Sequence, residues 1–257
     1  RLVCMSSREA SPAGQRDKAS RLALAAASMP TRMGRVVRAA RATPGPTAML
    51  TIVVILSGPH RLDMLGQTLD SIPLDSTRIA ELHIVTRGRP WDWAPALRAR
   101  YEANPKVRIF EETDDLPWPA LSSNRAFRRV STPWLMQLHD DDWLLPARFD
   151  AALAALDDPR ADGAGFIAFG WYRGQRGRFQ PESADLSSPA GMFVDLPKYC
   201  ATIFNTARLR EIGYIDNRFL GFNDVGVFLD LRYRFGALAA EVPVGIYRIH
   251  GGQMSAG

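Results

Sequence analysis

Residues 136–146 read MQLHDDDWLLP, which sets His139 and three consecutive aspartates, Asp140, Asp141 and Asp142, at the end of an apolar run. Two carboxylates ~4 Å apart repel by about 1 kcal/mol in water and about 4 kcal/mol in a partly screened cleft. A solvated turn tolerates that repulsion, whereas a cleft requires a cation. Two chemistries therefore compete. One is an acidic turn that places a carboxylate near the N-terminus of the next helix. The other is a divalent cation held by hard oxygen ligands, for which a diphosphate is the natural second partner.

The surrounding elements show where the run lies and, by position alone, leave both chemistries open. MLTIVVIL (49–56) is continuous and β-branched, the pattern of a buried strand. Leu62, Leu65, Leu69 and Ile72 follow at helical spacing. ELHIV (81–85), KVRIF (106–110) and PWLMQL (133–138) read as further strands, with helices over 93–103 and 120–130 between them. Pro146 suits the first turn of another helix, whose Phe149, Leu153 and Leu156 share a face. Strand–helix alternation at this spacing predicts an α/β fold: a mostly parallel sheet flanked by helices, in the manner of nucleotide-binding Rossmann-like domains. The acidic run then falls just beyond the carboxyl end of a strand, where ligands bind in open α/β sheets. GAGFIAFGWYR (163–173) opens a less regular second half with hairpin-like glycines.

Charge argues against a nucleic-acid partner. The chain has 257 residues and a formal charge of +5, but residues 1–48 hold nine of its 32 Lys and Arg and two of its 27 acids. The remainder carries 23 basic against 25 acidic residues and has no basic stripe. Residues 1–48, closed by TPGPT, read as a basic disordered tail or an extended start ahead of Met49. Residues 49–257 read as the folded domain, in two halves that divide after 145. The two cysteines, Cys4 and Cys200, make no metal spacing and no disulfide framework, which suits a cytoplasmic protein. The longest apolar run near the start is too short to span a bilayer, so any membrane contact is expected to be peripheral.

From about residue 50 to 252 the chain resembles family 2 glycosyltransferases, inverting enzymes of the glycosyltransferase A fold. Five segments carry the resemblance in order: VVILSGPHR (53–61), SSNRA (122–126), LHDDDW (138–143), ND (223–224) and YRIH (247–250). Any one alone is weak; the ordered set is fairly specific. The resemblance implies a glycosyltransferase domain with a nucleotide-diphosphate sugar donor, a glycan or lipid-linked acceptor and an Mn²⁺ or Mg²⁺ cofactor. It places Asp141 on the metal, with Asp142 supporting it and His250 near the metal or diphosphate. Asp224 falls on the catalytic base. Donor contacts fall on Ser57, Arg61, Thr86, Arg87, Asn124, Arg125, Asp140 and Arg248. The chain also departs from the family pattern. His139 replaces the usual first aspartate, and Thr86 and Arg87 in VTRGR (85–89) replace two acids that contact uridine. A catalytically silent nucleotide-sugar-binding module, and less favourably a nucleotidyltransferase, remain the alternative readings. Taken without the resemblance, Asp224 would read as the N-cap of VGVFLDL, and Trp171 and Tyr172 as core.

Overall fold

The computed structural model describes residues 49–56, 62–86, 94–112, 119–175, 178–216 and 223–251, all within one compact unit spanning 39–257. The expected tail at 1–48 and the expected donor contacts Ser57, Arg61 and Arg87 lie outside the described residues.

Among the described residues nine strands form a single sheet: β1 (Leu50–Ile55), β2 (Ile79–Thr86), β3 (Val107–Glu111), β4 (Trp134–His139), β5 (Trp143–Leu144), β6 (Phe166–Gln175), β7 (Arg178–Glu182), β8 (Thr202–Asn205) and β9 (Ala237–Arg248). They run in the order β3-β2-β1-β4-β8-β6-β9-β5, with β7 hydrogen-bonded to β6. The first four pair in parallel, as their continuous apolar sequences require of strands covered on both faces. The second half mixes directions, β8 being antiparallel to both β4 and β6, and β9 parallel to β6. This is the α/β, largely parallel, helix-flanked architecture that the sequence predicts.

Strand alternation sorts the core into two layers. Ile52, Val54, Met136 and Leu138 face one side with Leu65 and Leu69 of α1 (Leu62–Asp70), Leu97 of α2 (Ala94–Tyr101) and Phe149 of α4 (Pro146–Ala152). Val53, Ile55 and Leu135 face the other with Phe127 of α3 (Pro119–Arg128), Leu209 of α6 (Thr206–Glu211), and Val227, Phe228 and Leu231 of α7 (Asn223–Phe235). A six-residue helix, α5 (Pro189–Val194), adds Met192 to this second layer. Each fully buried Leu, Ile or Phe contributes about 1.5–3 kcal/mol, so the two layers hold the strand ends rigidly.

Rigidity extends to β9, where Gly245 stands opposite Leu144 and Trp171. A Cβ at Gly245 would lie 2.2 Å from the Cys200 carbonyl oxygen, so only glycine lets these backbones approach. Gly245→Ala is therefore expected to destabilise the fold by about 1–3 kcal/mol, read from urea denaturation. An unchanged midpoint would show that the Cys200 segment yields freely.

Candidate active site

β4 ends at His139, and the chain turns through Asp140–Asp142 before β5. The three aspartates are 0%, 4% and 1% exposed, which removes the solvated-turn reading. Helix α1 braces the turn from below. The Thr68 hydroxyl lies 2.7 Å from the Asp142 carbonyl oxygen and 3.0 Å from that of Asp140. Ser71 Oγ accepts the Leu144 amide at 3.0 Å. Both are polar residues on a stripe that also carries Leu65 and Leu69, and polarity on an otherwise apolar stripe is the sequence signal for such a bracket.

Buried carboxylates need compensation, and Arg248 at the end of β9 supplies part of it. Its amide donates to Asp142 Oδ1 at 3.2 Å, and its Nε donates to the Asp141 carbonyl oxygen. Nη1 donates to Gln67 Oε1 at 2.8 Å and Nη2 to the Met64 carbonyl at 3.3 Å, with the guanidinium 4.2 Å from the centre of the Trp143 ring. Burial lowers the Arg248 pKa to about 10 despite the opposing pull of Asp142, Asp141 and Asp140. Burial pushes Asp142 well above the usual carboxylate range and the Asp141 charge pushes it further, while the amide and charge of Arg248 pull it back. Hard carboxylate oxygens crowded in this way are the donors a divalent cation takes. The donor set fits such an ion: atoms of His139, Asp141 and Asp142 lie within 4.8 Å of one another.

Two imidazoles flank these carboxylates. His250 Nε2 lies 2.9 Å from Asp141 Oδ2, and His139 Nδ1 lies 3.8 Å from Asp142 Oδ2. The His139 ring also rests against Tyr199, centroids 5.5 Å apart, and Tyr199 packs at 5.5 Å on Phe228 of α7. Phe228 stands one helical turn after Asp224, on the same face. Burial raises the Tyr199 phenol pKa and the Asp224 charge raises it further, so the Asp224 carboxylate is within electrostatic reach of that ring. Ring contacts His139–Tyr199–Phe228 thus link the acidic turn to α7, the helix that carries Asp224 in its first turn. Asp224 is the second residue of that helix rather than its N-cap, and its Oδ1 accepts the Val225 amide at 2.9 Å.

The remaining expected donor residues occupy distinct places. Thr86 is buried at the carboxyl end of β2, where its carbonyl accepts the Glu112 amide. Arg125 donates to Glu112 at 2.7 Å, and Arg129 also pairs with that carboxylate. Burial would raise the Glu112 pKa, but the two arginines outweigh it and hold it low. Asn124 clamps the backbone of Ile215 in both directions, its amide nitrogen 2.8 Å from the carbonyl and its oxygen 2.9 Å from the amide. That clamp follows a Schellman end to α6, with Gly213 and Tyr214 both in the left-handed region and Tyr214 donating to the Leu209 carbonyl. A cleft of about 530 Å³ opens beside it, lined in part by Asn124, Arg128, Tyr214, Asp216 and Gly226. Trp171 and Tyr172 are buried, bonded to Glu182 and Arg148 respectively. Thr68, Gln67, Tyr199 and the ligand-range position of His139 were not expected as parts of the site.

No protein-family profile and no curated protein sequence matches the chain. Solved structures do match. S. aureus TarS 1–349 in complex with UDP-GlcNAc aligns with a TM-score of 0.64 at 14% identity, over 81% of this chain and 61% of that one. TarS 1–349 alone gives a TM-score of 0.62 at 13% identity, over 78% and 60%. The mannosyltransferase PcManGT from Pyrobaculum calidifontis, in complex with GDP-Man and Mn²⁺, gives 0.57 at 15% identity, over 95% and 66%. The chain spans about three fifths of the length of the TarS 1–349 structures. The fold is therefore one that glycosyltransferases use, with the acidic turn at its strand ends. Among the described residues, no helix is long and apolar enough to cross a membrane.

Proposed function

We propose that the chain is a metal-dependent, inverting glycosyltransferase of the family 2 type, moving a sugar from a nucleotide-diphosphate donor to the hydroxyl of a glycan or lipid-linked acceptor. The observation that carries this reading is the buried Asp140–Asp142 turn, linked by His139, Tyr199 and Phe228 to the helix that carries Asp224. The fold likeness to TarS and PcManGT, seen with UDP-GlcNAc and with GDP-Man and Mn²⁺, supports the donor class and the cation.

Asp141, Asp142 and His250 would hold Mn²⁺ or Mg²⁺, which as a Lewis acid stabilises charge gathering on the leaving diphosphate. The protein's own groups do the rest. Arg248, Thr68 and Gln67 fix the turn so that the carboxylates do not reorganise during reaction. Asp140, with Thr86 and Arg125, would border the nucleoside; Asn124 would act indirectly, by fixing the 212–216 turn. Asp224 accepts the proton of the acceptor hydroxyl as that oxygen attacks the anomeric carbon from the face opposite the diphosphate, which inverts its configuration.

Calorimetric titration of UDP and GDP with and without Mn²⁺ tests the reading. Binding should require the cation, and Asp141→Asn should weaken that cation-dependent binding by at least about 100-fold with the fold intact. Equal nucleotide affinity with and without the cation, or in the variant, would refute the site. Nucleotide-sugar binding without transfer to any acceptor would favour the catalytically silent module instead.

A further inference from the structure

His139 is one of the residues by which this chain leaves the family pattern, and its surroundings give it a use. Among the described residues no hydrogen bond claims either ring nitrogen, the ring's contacts being the Asp142 carboxylate and Tyr199. The 3.8 Å from Nδ1 to Asp142 Oδ2 is too long for a hydrogen bond. It is the right length for two atoms sharing an ion: ligands ~2.1 Å from one metal stand about 3 Å apart at a right angle and about 4 Å apart when opposed. The ring cannot swing away freely, because Tyr199 behind it is itself backed by Phe204 at 5.8 Å and Phe228 at 5.5 Å.

We propose that His139 is a nitrogen ligand to the bound cation, completing a mixed donor set with Asp141 and Asp142 that selects transition cations over Mg²⁺. The inference rests on the metal-dependent reading above and refines it. An aspartate in this position would contribute a hard oxygen and a further negative charge, both of which suit Mg²⁺. A neutral imidazole contributes neither, and Mg²⁺, which demands near-octahedral oxygen ligation and dehydrates reluctantly, gains little from it. Cations such as Co²⁺ and Zn²⁺ bind imidazole well, and Mn²⁺ tolerates it. Replacing the aspartate thus lowers affinity for the hard ion while keeping it for the borderline ones.

Pulsed electron paramagnetic resonance of the full chain with Mn²⁺ and UDP reads the ligand directly. Nitrogen-14 modulation should be present in the native protein and in His250→Gln, and should be lost when His139→Asp is added to His250→Gln, where the other imidazole assigned to the ion is already gone. Calorimetry with the metals alone should show the ratio of Co²⁺ to Mg²⁺ affinity falling at least tenfold in His139→Asp. His139→Asn on the same His250→Gln background, which adds no charge to the turn, should lose the same modulation and serves if the aspartate variant fails to fold. Nitrogen coupling that survives in both His139 variants made on His250→Gln, or an unchanged affinity ratio, overturns the proposal. Should Mn²⁺ bind in an Asp141-dependent way without nitrogen from His139, this inference alone fails. Should no cation bind at all, the transferase reading fails with it.

Discussion

Asp224→Asn should leave Mn²⁺-dependent UDP or GDP binding within about twofold of native while transfer falls by about 10²–10⁴-fold, the range that a positioned general base contributes. The substitution keeps shape, and the amide oxygen of asparagine can still accept the Val225 amide, so the start of α7 should hold. What it removes is the capacity to take a proton from the acceptor. The contrast with Asp141→Asn is the informative part: one change should act on turnover, the other on cation-dependent binding. Steady-state kinetics on each variant, paired with calorimetry, separate the two. Parallel losses in both quantities for both variants would mean that the two carboxylates do not divide the work.

The second large effect concerns stability. Arg248→Met keeps much of the aliphatic packing but strips the guanidinium from beneath the buried carboxylates. Breaking a buried charge pair costs about 3–5 kcal/mol, and the half-buried state of Arg248 argues for the lower end, about 3 kcal/mol. Chemical denaturation measures this. Added Mn²⁺ should restore a larger share of stability in the variant than it adds to the native protein, because a cation in the turn supplies the missing positive charge. Arg248→Lys should recover little. A lysine cannot reproduce the planar fork that reaches the Asp141 carbonyl, Gln67 and Met64 together. A variant as stable as native would show that the aspartates manage without it.

The first half of the fold was legible because β1 is a near-continuous apolar run and β2 and β4, though interrupted by Glu81, His83 and Gln137, are mostly apolar and largely buried. Strand limits moved by one or two residues, with β2 starting at Ile79 rather than Glu81. β9 was not legible. Its sequence ALAAEVPVGIYR holds a proline and a glycine, and its burial is uneven because the register with β6 shifts twice along its length. The strand forms since β6 and β5 hold it in place, which no local pattern can announce. The same division runs through the site. Asp140–Asp142 stood out because three acids after an apolar strand are chemically odd, and Asp224, His250 and Arg248 were found through the ordered motifs. Tyr199 lies in a short 3₁₀ turn with no motif around it, so its place between His139 and α7 is purely a product of tertiary packing. Arg248 shows the limit of motif reading, for its guanidinium braces the turn from within, whereas the motif suggested only a donor contact.

One feature of the sheet governs when this protein can work at all. Arg248 meets Asp142 across 106 residues of chain, and His250 meets Asp141 across 109. Contacts so distant in sequence are among the slowest to form, since a large loop must close before either reward is collected. A nascent chain that has already built β1 to β4 would hold three crowded carboxylates without the Arg248 guanidinium. Cation capture should accordingly trail the rest of folding, and a polypeptide stopped before Ala237 should be a scaffold without an ion, whatever its helical content.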